Sequence, residues 1–99
     1  MLKKDIMELC LLQLLSGQDR YGYELLQILH KQFPDTQEST VYAILRNLCK
    51  EHYLETYTGD ISGGPARKYY RIGKKGKERL TVLLNEWKTL IISMKGIGL

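Results

Sequence analysis

Residues 39 to 50, Ser-Thr-Val-Tyr-Ala-Ile-Leu-Arg-Asn-Leu-Cys-Lys, combine hydrogen-bond donors at a spacing suited to a nucleic-acid groove. Read as a helix advancing about 100° per residue, they place Val41, Ile44, Leu45 and Leu48 on one face, with Cys49 at its edge. Ser39, Ala43, Arg46 and Lys50 fall on the opposite face, flanked by Thr40, Tyr42 and Asn47. That second face carries no acid and has a small residue at its centre. A major groove about 12 Å wide admits a helix of this kind. Ala43 permits close approach, Arg46 and Asn47 can reach base edges, and Ser39, Thr40, Tyr42 and Lys50 can hold phosphates. The same pattern also fits an ordinary amphipathic helix with a solvated outside, so the neighbouring elements have to decide.

The net charge of +4 is modest, but its distribution is uneven. Between Ile61 and Val82 stand Arg67, Lys68, Arg71, Lys74, Lys75, Lys77 and Arg79, against the single acid Glu78. A concentrated basic segment suits a polyanionic partner, although a solvated charged surface would look alike. Other chemistries find no support. No carboxylate pair, nucleophile–base pair or metal-ligand set stands out, so neither an enzyme nor a cofactor is expected. Cys10 and Cys49 lack CxxC spacing and sit in apolar helical settings, as reduced cysteines of a cytoplasmic protein do, with a redox switch as the lesser alternative. No apolar run approaches the ~18 residues of a spanning helix.

The elements that must position this face follow in order. Residues Lys3 to Leu15 read as a first helix, apolar on more than one side and closed by Ser16-Gly17. One side would meet its own domain and the other a second copy of the chain. Gln18-Asp19-Arg20 reads as a connection. A second helix opens at Tyr21-Gly22-Tyr23-Glu24 and runs to Phe33, where Pro34 stops it. A polar turn leads into the third helix, giving a helix-turn-helix. After that helix His52 stands where a left-handed glycine is usual. Tyr53 to Thr58 and Arg67 to Ile72 alternate as β-strands around the turn-forming Gly59 to Ala66, so a basic wing hairpin is expected at about 53–72. The last helix runs from Lys74 to about Met94. Its Leu80, Leu83, Trp87, Leu90 and Met94 recur at alternating intervals of three and four, widened by Leu84 and Ile91. This is an a/d seam, read as a dimer interface. The alternative is that the helix folds back to complete a monomeric core.

With these elements placed, the chain resembles the short form of the PadR-like transcriptional regulators. The resemblance rests on Tyr21-Gly22-Tyr23-Glu24-Leu25, on Ser39 to Leu48, on Gly63-Gly64-Pro65-Ala66-Arg67-Lys68-Tyr69-Tyr70-Arg71-Ile72, and on Lys75-Gly76-Lys77-Glu78. It implies a mainly helical fold with a small β-hairpin. Residues 1–73 would form a winged helix-turn-helix DNA-binding domain and residues 74–99 a C-terminal dimerisation helix. It further implies a homodimeric repressor on an inverted-repeat operator, with Thr40, Tyr42 and Arg46 as operator contacts and Arg67 and Lys68 bracing the wing on phosphates. Some relatives sense planar or phenolic compounds at the dimer interface. Here Trp87, Leu84, Ile91, Ile6 and Leu9 would border such an effector, unless Trp87 simply fills the interface. The departures are Gly73, where the family usually has Thr or Ser, and His52 in place of Gly. The alternative from another class is a winged-helix module that binds protein and not DNA.

Overall fold

The structure is a computed structural model that describes residues 4–59 and 65–99. Its elements are α1 (Lys4–Gly17), β1 (Arg20–Tyr21), α2 (Gly22–Gln32), α3 (Glu38–Lys50), β2 (Leu54–Gly59), β3 (Arg67–Ile72) and α4 (Lys74–Gly96). Four helices thus surround a three-stranded antiparallel sheet in the order β1-β3-β2. The fold is a winged helix-turn-helix, with β2 and β3 as the wing.

The core is a leucine cluster gathered from every helix. Leu11, Leu12 and Leu15 of α1, Leu25 and Leu29 of α2, and Val41, Leu45 and Leu48 of α3 are almost wholly buried. Helix α1 lies at the centre, with Met7 added to its buried set. The wing contributes Leu54, Tyr70 and Ile72 to the same cluster. The one charged residue buried among the described residues is Glu8, and Arg79 of α4 meets it.

Several boundaries differ from the sequence reading. Helix α1 continues through Ser16 and Gly17, and the Ser16 hydroxyl donates back to the Gln13 carbonyl at 2.6 Å. Its expected first residue, Lys3, lies outside the described residues. Arg20 and Tyr21, read as connection and helix start, instead form strand β1, with Arg20 opposite Tyr70 and Tyr21 opposite Tyr69. A two-residue strand has no periodicity to announce it, and only its partner β3 defines it. Helix α3 begins at Glu38, one residue before the acid-free run.

The wing pairs Leu54 with Ile72 through to Gly59 with Arg67. Its expected turn includes residues 60–64, which lie outside the described residues. At the end of α3, His52 adopts φ 64°, the left-handed conformation expected of it. The His52 N–H donates to the Cys49 carbonyl and the Tyr53 N–H to the Leu48 carbonyl, both at 3.0 Å. These two bonds form a Schellman closure that turns the chain into the wing.

Helix α4 has no side-chain cap at Gly73. Its start is fixed by other means. The Gly73 N–H donates to the Tyr53 carbonyl at 3.0 Å. One turn on, Gly76 packs so closely on the wing that an added Cβ would lie 2.1 Å from the Tyr53 carbonyl oxygen. Leu80 and Leu83 then enter the core at 7% and 5% exposure. Two of the seven residues expected at the interchain seam are therefore buried within their own chain. Heptad spacing marks an apolar stripe and does not say which chain covers it.

Candidate nucleic-acid interface

Helix α3 separates its faces as its periodicity requires. Val41, Ile44, Leu45 and Leu48 are buried, whereas Ser39, Thr40, Ala43, Arg46, Asn47 and Lys50 are exposed. The helix is thus anchored by an aliphatic stripe that leaves six short or cationic side chains presented together. The exception to the acid-free description is Glu38 in the first turn, which is exposed.

Tyr42 is half-buried and leans over the start of α2. A Cβ on Gly22 would come within 2.8 Å of Tyr42 Cε1 and 3.3 Å of its hydroxyl, so only glycine leaves room for this ring. Burial, then the Glu38 and Tyr23 charges, raise the Tyr42 phenol above its ordinary value. It therefore remains a hydroxyl donor at neutral pH.

The wing's cations are held by aromatic rings. The Arg67 guanidinium lies 4.4 Å from the centre of the Tyr21 ring, and the Lys68 ammonium lies 5.6 Å from that of Tyr70. Tyr21 meets Tyr69 edge-on at 5.8 Å, and Tyr69 stacks on Tyr57 at 5.5 Å with 12° between planes. The Arg71 guanidinium closes the row 5.2 Å from the Tyr57 ring, and its Nη2 donates to Glu55 Oε2 at 2.9 Å. The Tyr57 hydroxyl donates to Asp19 Oδ2 at 2.6 Å. An aromatic row thus crosses all three strands and fixes Arg67 at one end. Such pairs add about 0.5–1.5 kcal/mol beyond area burial.

These parts converge. A crevice of about 390 Å³ is bounded by Tyr21, Gly22, Tyr23, Tyr42, Arg67, Lys68 and Tyr70. Of the expected DNA-binding residues, the fold brings Tyr42, Arg67 and Lys68 together here. Ser39, Thr40 and Ala43 line a second crevice on the other side of α3. Arg46, Asn47 and Lys50 continue the exposed face between the two toward the helix C-terminus. The sequence reading missed Tyr21 and Tyr23 as members of the first crevice. Both belong to the Tyr-Gly-Tyr run, which serves in the sequence as a helix start and as a mark of the family resemblance.

Cys49 borders this region. Burial raises its thiol above the usual range, and the Lys68 charge offsets this only in part. Cys10 is raised by burial. Both thiols are thereby kept protonated and poorly nucleophilic.

The expected pairing and effector residues are placed around the outer half of α4. Trp87 is 37% exposed and Leu90 47% exposed, while Ile91 and Met94 are half-buried. Trp87 separates two hollows. One, of about 250 Å³, includes Ile6, Leu9, Leu83 and Leu90 in its walls. The other, of about 310 Å³, runs between α1, α2 and α4 and includes Leu9, Cys10, Ile28 and Leu84. The expected effector set is thus divided across the indole, and Ile91 lines neither hollow. Among the described residues, no group of three His, Cys, Asp or Glu side chains is placed to hold a metal, and no helix is long and apolar enough to cross a membrane.

Comparison with known proteins matches residues 11–82 to the transcriptional regulator PadR-like family. A crystal structure of a Streptococcus transcriptional regulator is 35% identical, superimposes with a TM-score of 0.87, and covers 95% of this chain and 93% of its own. A PadR-like transcriptional regulator from Bacillus cereus is 33% identical with a TM-score of 0.85, covering 93% of this chain and 90% of its own. A Lysinibacillus sphaericus protein of uncharacterized function is 41% identical over 80 residues, which is 78% of this chain and 73% of that protein.

Proposed function

Because the chain belongs to the PadR-like family of DNA-binding transcriptional regulators, we propose that it acts as a dimeric repressor on an inverted-repeat operator. The observation that carries this reading is the exposure of Ser39, Thr40, Ala43, Arg46, Asn47 and Lys50 as one face, set beside a wing with two ring-held cations. Arg46 and Asn47 read base edges. Ser39, Thr40, Tyr42 and Lys50 hold phosphates, and Arg67 and Lys68 brace the flanking backbone. Ala43 lets the helix axis approach the groove floor.

Pairing uses the outer half of α4. The helix spans 23 residues, about 34 Å at 1.5 Å per residue, and its exposed Trp87 and Leu90 lie on one apolar side. Leu84, Ile91 and Met94 widen that side, while Leu80 and Leu83 support it from within the core. The functional division is residues 1–73 for DNA and 74–99 for pairing, with the first half of α4 shared between them. A small planar aromatic effector stacked on Trp87, within reach of Ile6, Leu9, Leu84 and Ile91, relieves repression by altering the set of α4 against α1.

The exposed, acid-poor face beside two ring-held wing cations suits the paired phosphate backbones of a duplex, which supports DNA over a protein partner. Capture of genomic fragments, followed by titration of the bound sequence across salt concentrations, tests the assignment. A DNA regulator binds one fragment class and loses affinity steeply and linearly in log salt. A protein-binding module captures no fragment class. Light scattering gives the dimer mass, and quenching of the single Trp by planar aromatic compounds reports the effector.

A further inference from the structure

We infer that Lys4, at the start of α1, completes a second seat for a backbone phosphate of duplex DNA, on the side of α3 away from the wing. This rests on the DNA-binding reading above. A crevice of about 380 Å³ is lined by Lys4, Ser39, Thr40, Ala43 and Ile44. Tyr42 and Thr40 are two residues apart on a helix, so they project to opposite edges of its outer face. Tyr42 lines the wing crevice and Thr40 lines this one. The groove-facing residues are therefore bracketed by two crevices, each holding hydroxyls and a cation.

The donors of this second crevice are uncommitted. Among the described residues, neither the Lys4 ammonium nor the Ser39 and Thr40 hydroxyls has a hydrogen-bond or ion-pair partner. By contrast, Arg20, Arg71 and Arg79 are each paired with a glutamate. All three side chains of the seat are exposed. The neighbouring acids do not enter it. Asp5 lines the hollow on the α1–α4 side, and Glu38 is absent from the crevice wall. An ammonium and two hydroxyls that share one crevice on a DNA-facing surface suit a phosphate, which needs charge and several donors and carries no base identity.

The test is a fluorescence-anisotropy titration of the full chain with a labelled mixed-sequence duplex across salt. Removing one phosphate-neutralising cation lowers the slope of log affinity against log salt by about 0.9. Lys4→Ala and Lys4→Gln are expected to show that decrease for each protomer bound. They are also expected to bind more weakly on every sequence, while Lys4→Arg keeps the wild-type slope. Lys88→Ala, on an exposed part of α4, serves as the control and leaves the slope unchanged. A Lys4→Ala protein whose curves superimpose on wild type at every salt concentration overturns the seat alone. A wild-type protein with no salt-dependent affinity for duplex overturns the DNA-binding reading itself.

Discussion

The Nε of Arg79 donates to Oε1 of Glu8 at 2.9 Å, tying α4 to α1 across 71 residues of sequence. The Glu8 side chain is 9% exposed and Arg79 is 32% exposed, so the pair is sheltered on the acid's side. Its partner raises the Arg79 guanidinium further above an already high value. That shift keeps the guanidinium charged throughout the neutral range. Arg79→Met leaves a nearly buried carboxylate unpaired and is expected to cost about 2 kcal/mol. Glu8→Leu combined with Arg79→Met should recover part of that loss, because the unpaired charge is gone. Urea unfolding of the two variants checks both. An Arg79→Met protein as stable as wild type contradicts the strut.

Gly22 and Tyr42 make a second joint, between α2 and the DNA-facing helix. Gly22→Ala places a methyl carbon 2.8 Å from the Tyr42 ring, so the ring must swing out. Overpacking of this sort costs about 1–3 kcal/mol. The duplex affinity should fall beyond what the unfolding data account for, because the Tyr42 hydroxyl leaves the wing crevice. Gly22→Ala with Tyr42→Leu should regain stability without regaining affinity. Thermal unfolding and anisotropy, measured on the same preparations, separate the two effects.

The two cations Arg46 and Lys68 have different duties. Arg46→Ala is expected to relax sequence preference by about 1–3 kcal/mol at the base it reads. Lys68→Ala is expected to weaken binding to every duplex alike and to lower the salt slope by about 0.9. Competition between operator and random duplex measures both. Equal losses on the two duplexes for both variants contradict this division.

Much of this was legible in the chain. Helix α3 emerged with its faces assigned because Val41, Ile44, Leu45 and Leu48 keep a helical period and donors occupy the gaps between them. The left-handed His52 followed from its place after the last periodic residue. Strand β1 was not legible, since Arg20-Tyr21 is defined only by what β3 offers it. At the seam of α4 the period could not separate Leu80 and Leu83, which face their own core, from Leu90 and Met94, because all four carry the same signal. The aromatic row from Tyr21 to Tyr57 was hidden because it depends on cross-strand register, which adjacent residues do not encode.

Stability should fall in alkali. Burial raises the Cys10 and Cys49 thiols and the Tyr42 and Tyr70 phenols in the folded protein. The unfolded chain therefore gives up these protons first, and folding loses free energy once pH passes the ordinary thiol value of about 8.5 and then the phenol value of about 10. Urea midpoints recorded from neutral to alkaline pH check the sign. The same burial predicts slow reaction of both thiols with disulfide reagents at neutral pH, followed by absorbance. Rapid labelling of native protein would contradict it.

Hydroxyl-radical footprinting of the protein on its captured genomic fragment bears most directly on the proposed assembly. Two α3 helices held by paired α4 helices should enter successive major grooves on one side of the duplex. Protection is then expected as two symmetric half-sites about 34–36 Å apart, centre to centre. A single protected half-site, or protection encircling the duplex without symmetry, would contradict it.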